Sequence, residues 1–214
     1  MSSGDILAIL HGAVVTLTLS FTGILVGVPV GLGLALVRWA RVPLLRRAVA
    51  VYVSLLRATP LVTLLLLLFF ALPNVGIPIG PISAGILALV LNTSAFSCEV
   101  WRASLMSFPK DQFEAAQSVG MPARLRLMRI VLPQVARASV PGLVNEMSAL
   151  VKVTPVLAVV GVVDITRAAV RIGAESFEPL PPFLVAIAVY APIIFLLVSG
   201  QRLLERRNAR LAEA

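Results

Sequence analysis

Residues 58–98, ATPLVTLLLLLFFALPNVGIPIGPISAGILALVLNTSAFSC, form a run of 41 without a formal charge, closed on either side by Arg57 and Glu99. A bilayer core about 30 Å thick takes roughly 20 helical residues. The run is too long for one crossing, and its middle, Pro73-Asn74-Val75-Gly76-Ile77-Pro78-Ile79-Gly80-Pro81, is dense in turn formers. It therefore reads as two spans, near 51–72 and 82–104, joined by a tight hairpin.

Working outward, His11–Val37 has no ionised side chain and ends at Arg38, giving a first span over 11–37. Met1–Leu10 has no cationic n-region and no small-residue cleavage site, so this run is read as an uncleaved span. Further apolar runs place spans four and five near 138–160 and 183–201, leaving no room for a soluble domain. The expectation is an all-α integral membrane protein of five transmembrane helices, with residues 1–214 as one transmembrane domain. Composition agrees: of 214 residues 59% are hydrophobic and 13% charged, with a mean hydropathy of +0.99. That excludes a water-soluble enzyme, a secreted disulfide module and a disordered tail, which need more polar surface or more cysteines. The single Cys98 and the single His11 permit neither an internal disulfide nor a metal cluster.

Lys and Arg in the flanking segments set the orientation. Fourteen lie on one side, namely Arg38, Arg41, Arg46 and Arg47, then Arg102, Lys110, Arg124, Arg126, Arg129 and Arg137, then Arg202, Arg206, Arg207 and Arg210; the other side has Arg167 and Arg171. The N-terminus is then external and the C-terminus cytoplasmic. The net charge of +8 is accounted for by this bias and by anionic lipid rather than by nucleic acid. Gly23, Gly27, Gly31 and Ala35 form a small-residue stripe on span one that suits close packing within the bundle, and Pro29 is expected to kink it.

Ser107–Pro133 is a polar loop too long to be mere connection. Ser107 can cap a helix with Pro109, Asp111 and Glu114 near its start, Gly120 supplies a left-handed stop, and Pro122 opens a second short helix bearing Arg124, Arg126 and Arg129. Phe113, Ala116 and Gly120 fall on one face, forming a knob able to dock in a cleft of a cytoplasmic protein; an interfacial helix on lipid headgroups is the alternative.

Glu114-Ala115-Ala116, Gly120, Ile130, Leu132 and Pro133 resemble, with matching spacing, the EAA loop of ATP-binding-cassette importer permeases. Arg57-Ala58-Thr59-Pro60-Leu61 resembles the RGTPL motif of the polar amino-acid subfamily (histidine, glutamate and arginine permeases), and Phe108-Pro109-Lys110-Asp111-Gln112-Phe113-Glu114-Ala115-Ala116 resembles its IPKGQxEAA run. Leu132-Pro133-Gln134, Asn145, Lys152 and Thr154 extend the likeness. The resemblance implies a type I importer fold in a bacterial cytoplasmic membrane. It implies a second permease copy or paralogue, a cytoplasmic ABC ATPase dimer that holds the ATP and Mg, and an extracytoplasmic substrate-binding protein. Phe113, Glu114, Ala115, Ala116 and Gly120 become the ATPase-coupling residues. This chain carries no G-x-x-x-x-G-K-[ST] loop, so no catalytic residue and no cofactor of its own are expected.

Ionisable side chains within spans cost about 2.5–3.5 kcal/mol on insertion scales. Arg57 and Glu99, near span ends, suit structural ion pairing. Glu146 lies well inside span four after Asn145, where the resemblance puts the substrate path; Lys152 sits further along on another side of the helix. Asn92, Thr93, Ser97 and Ser104 could line the path from span three. The resembling family has an acidic residue after the lysine where Val153 stands here, which weakens the case for a cationic cargo. Asp164, Arg167, Arg171 and Glu175 suggest a short external helix with local ion pairs, and the resemblance makes Asp164 an external gate residue. The function expected is amino-acid or zwitterion import by alternating access; the competing readings are a passive channel or a permease for another small solute such as a compatible solute.

Overall fold

A computed structural model describes residues 2–40 and 42–212; Arg41, one of the cationic residues counted above, lies outside them. Among the described residues nine α-helices follow one another: α1 (Ser3–Trp39), α2 (Pro43–Ala58), α3 (Leu61–Asn74), α4 (Pro81–Met106), α5 (Lys110–Ser118), α6 (Ala123–Arg126), α7 (Leu132–Val153), α8 (Ile165–Ser176) and α9 (Leu180–Ala212). No strand occurs among the described residues. Four helical stretches are long and apolar enough to cross a membrane: α1, α4, the continuous helix Ala123–Val160, and Leu180–Gly200 within α9. The pair α2 and α3 makes a fifth if taken as one crossing.

That pair corrects the sequence reading, which drew 51–72 as one helix. The axis turns by 106° between Ala58 and Leu61. Pro60 has no N–H to continue the ladder, and its ring pushes Thr59 to an extended ψ of 123°. The Thr59 hydroxyl and N–H both return to the Leu55 carbonyl, at 2.8 and 3.0 Å, closing off α2. Span four departs at both ends. It does not begin near 138 but runs from α6 through a π turn (Leu127–Val131), whose wider bonding carries the helix into the proline at the start of α7. At the far end it tightens to a 3₁₀ segment, Thr154–Val160. Pro155 removes the N–H due to the Val151 carbonyl, and the Thr154 hydroxyl takes its place at 3.0 Å.

The most extensive helix pairing is between α1 and α4. Gly23, Gly27, Gly31 and Ala35 are all buried along it. A methyl group on Gly27 would stand 2.6 Å from Thr93 Cβ, so the stripe is intrabundle packing, as expected. α1 continues unbroken through Pro29. Three apolar clusters run along this axis. Ile9, Ala13, Ile165, Ala169 and Ala186 join α1, α8 and α9 at one end. Leu19, Leu65, Leu89, Leu150 and Leu157 occupy the middle. Val53, Trp101, Val131 and Val135 gather near α5. Large apolar side chains remain outside on α1 (Leu7, Val14, Phe21, Leu25) and α9 (Leu184, Ile187, Phe195, Leu196), a pattern that suits lipid.

Candidate functional site

A cavity of about 240 Å³ opens where α3, α4 and α7 meet, lined by Leu61, Asn92, Thr93, Phe96, Glu146, Ala149, Leu150 and Val153. Sequence reasoning named Asn92, Thr93 and Glu146, and these three come together. The walls are mostly apolar with few polar groups, as in small-molecule sites generally. Thr93 is only 6% exposed and its hydroxyl has no hydrogen-bond partner. Arg57, at the end of α2, lies over the Phe96 ring, 5.2 Å from its centroid, and is near enough to act electrostatically on Glu146. The cavity wall thus carries the carboxyl of Glu146, with the Arg57 guanidinium behind Phe96 outside the lining. Arg57, Leu61, Phe96 and Ala149 were not foreseen as site residues; the proline-broken Arg57–Leu61 string was the available signal, because interrupted helices place exposed backbone groups inside membrane proteins.

The other expected path residues lie elsewhere. Ser97 sits on the α1–α4 seam, its hydroxyl donating to the Thr93 carbonyl at 2.6 Å and lying 3.3 Å from that of Gly27. Asn145 and Lys152 are exposed and do not line the cavity. Glu99 is structural, as expected: it pairs with Arg38 of α1 and, at 2.7 Å, with Arg102 one helical turn on.

At the α5 end two residues of the expected knob are turned towards the chain's own body. The Phe113 ring meets Trp39 edge-on at 6.2 Å, with the Arg126 guanidinium 4.6 Å from its centroid, and Ala116 is buried. Both turn inward because they share one face, three residues apart, of a mostly polar helix, and Trp39 at the end of α1 covers Phe113. The exposed residues of α5 are Lys110, Asp111, Gln112, Glu114, Ala115, Gln117 and Ser118. Ser107 is not the cap of this helix; its hydroxyl returns to Ser104 at 3.1 Å, and α5 starts after Pro109. Gly120 does supply the left-handed stop, at φ +75°, letting the Met121 N–H reach the Ala116 carbonyl at 3.1 Å.

At the opposite end Asp164 is fully buried. Its carboxylate caps α8 by accepting the Arg167 N–H at 2.9 Å, and the Tyr190 hydroxyl lies 3.4 Å away. The Arg167 guanidinium goes to the Ala158 carbonyl at 2.7 Å instead of pairing with Asp164. A side chain on Gly12 would run into the Asp164 backbone at 2.7 Å, so this residue fastens α8 onto α1 and presents no external surface.

The model of a family described as binding-protein-dependent transport system inner membrane component matches residues 27–210. The L-cystine transport system permease protein TcyB of Bacillus subtilis is 35% identical over 200 residues, covering 93% of this chain and 86% of that protein. A Rickettsia typhi protein named for glutamine transport, GlnP, is 32% identical over 203 residues, covering 94% and 93%. Among solved structures, an amino acid ABC transporter crystallised with histidines superposes with a TM-score of 0.86 at 30% identity over 94% of each chain. The methionine ABC transporter MetNI in an inward-facing form gives 0.78 over 96% of this chain and 99% of that one; at 21% identity it supports the fold alone.

Proposed function

The chain belongs to the family of binding-protein-dependent transport system inner membrane components, and from that premise we propose that it is the membrane-spanning subunit of an ABC importer for a polar amino acid or similar zwitterion. The observation that carries this reading is continuity: Glu146, Ala149 and Leu150 of the cavity wall stand on the same unbroken helix, Ala123–Val160, that leaves the α5 loop. Force applied at α5 therefore has a direct path to the cavity.

The positive-inside bias puts α5 in the cytoplasm and α8 outside. There the outward face of α5, Asp111 to Ser118, fits a groove on an ATPase dimer that supplies ATP and Mg. A binding protein delivers cargo at the α8 end, a second permease copy or paralogue completes the pathway, and the buried Asp164 serves as a gate residue by fixing α8 to α1. ATP drives alternating access by binding the outward and inward arrangements unequally. Glu146 gives the cavity a place for an ammonium; the relatives named for cystine and glutamine transport support such cargo. This subunit performs no chemistry itself.

Reconstitution with the ATPase and binding protein in proteoliposomes tests this. We expect uptake of an amino acid, drawn from the protein amino acids and L-cystine, only with internal ATP. Glu146→Gln should lower it at least tenfold while the complex still assembles. Gradient-driven flux without ATP would establish the channel instead, and an unaltered uptake rate in Glu146→Gln would remove the cavity from the path.

A further inference from the structure

The helix that joins the α5 loop to the cavity is not uniform. Between Arg126 and Leu132 it widens into the π turn, where the Leu132 N–H reaches back five residues to the Leu127 carbonyl. The next rung is missing, because Pro133 has no N–H to donate. A π turn is a rare departure from the α ladder, and such turns and prolines are where long helices bend. Motion handed to α6 would therefore be taken up in part at 127–133 before it reached Glu146. α5 holds this helix on both sides of the soft stretch, through neighbouring residues. The Phe113 ring lies under the Arg126 guanidinium, on the near side, 4.6 Å from its centroid. Gln112 Oε1 accepts a hydrogen bond of 2.7 Å from Gln134 Nε2, on the far side. The sequence strings Phe108–Ala116 and Leu132–Gln134 thus meet through their glutamines, and both amides are exposed.

We infer that Gln112 and Gln134 are positioning residues of the coupling path: their amide bridge braces the π turn, so that α5, α6 and the first turn of α7 move as one body. The inference rests on the import reading above and adds to it the bond that carries load past the π turn. An exposed amide pair adds little to global stability, since water competes for both groups. Its effect here is geometric. The bridge closes a ring that runs from Gln112 along α5, through α6 and the π turn, and back to Gln134, and a closed ring resists a bend that an open helix permits. Pro133 makes the brace necessary and also places it, because Gln134 is the first residue beyond the missing rung.

Isosteric variants separate the bridge from folding. A Gln amide can turn to offer either its oxygen or its NH₂ group, so Gln112→Glu and Gln134→Glu each keep a partner, whereas the two together set carboxylate against carboxylate. Gln112→Glu combined with Gln134→Lys makes an attractive pair again. Backbone hydrogen exchange over 127–134 is followed in the permease–ATPase complex in nanodiscs. It should rise about fivefold in Gln112→Glu/Gln134→Glu, the factor that one hydrogen bond is worth, and stay near the unaltered rate in both single variants and in Gln112→Glu/Gln134→Lys. The thermal unfolding temperature should be the same in all four. In proteoliposomes with the binding protein, the amount of amino acid imported per ATP should fall several-fold in Gln112→Glu/Gln134→Glu alone, with assembly intact. Unchanged exchange in that variant, an unchanged ratio, or an equal fall in the single variants overturns the brace; loss of assembly would put the glutamines in the docking face and does the same. Failure of ATP-dependent uptake by the unaltered complex is a different result: it overturns the import reading, while the exchange measurement still tells whether the bridge stiffens the π turn.

Discussion

Glu99 shows how one side chain ties two helices inside an apolar environment. It is 19% exposed and lies between Arg38 and Arg102, so the cluster carries one net positive charge. Glu99→Gln would leave two guanidiniums facing each other with no counter-charge, and removing one member of a largely buried pair costs about 3–5 kcal/mol. We expect a clear fall in thermal unfolding temperature in detergent for this variant, with Arg38→Gln combined with Glu99→Gln recovering part of it; additive losses would show that the two residues do not interact. The pairing with Arg102 was legible in the sequence because it spans three residues of one helix. Arg38 was not, being 61 positions away; its proximity follows from how deeply α1 and α4 mesh. Arg57 shows the reverse limit. Hydropathy treated it like Glu99, as a charge at a span end, whereas the turn after Ala58 sets it against Phe96 at the cavity.

For the helices, spacing and small side chains decide the outcome. Gly27 and Gly33 lie on the same helix, yet a methyl at Gly27 meets Thr93 whereas one at Gly33 meets nothing within 4 Å. Gly27→Ala should therefore destabilise the protein by about 1–3 kcal/mol as the α1–α4 seam is forced apart. Gly33→Ala should stabilise it by about 0.5–1 kcal/mol through helix propensity alone. Unfolding of both variants in the same micelles checks the signs, and a stabilising Gly27→Ala would mean the seam is not tightly packed. Four-residue spacing made this seam readable. It also gave the hairpin at 73–81, since prolines and glycines there interrupt an apolar run. What hydropathy could not give was the state of the backbone at Pro60, Pro133 and Pro155. Each removes one N–H, but one yields a sharp break, one a π turn and one a 3₁₀ segment. Which of these results depends on whether a neighbour, such as the Thr154 hydroxyl, can satisfy the freed carbonyl.

At the level of the whole molecule, the type I importer fold expected from the EAA-like loop is the one found, and what remained hidden was how that loop is held. Its sequence face of Phe113 and Ala116 looked like a docking knob because apolar residues on a polar helix signal a contact. The contact is with the chain's own body: Phe113 rests between Trp39 and Arg126, linking α5 to the end of α1 and the start of the helix that carries Glu146. If that ring makes α5 move with the bundle, removing it should separate hydrolysis from transport. On the proposed importer reading, the outward residues Glu114, Ala115 and Gln117 still present a surface to the ATPase in Phe113→Ala, so the complex should assemble and hydrolyse ATP. The amount of amino acid imported per ATP should fall several-fold, and Phe113→Trp, which keeps an aromatic ring for Trp39 and Arg126, should recover most of it. A ratio unchanged in Phe113→Ala would mean that the loop transmits motion without this anchor. Loss of assembly would place Phe113 in the docking face after all, against the inward position of its ring.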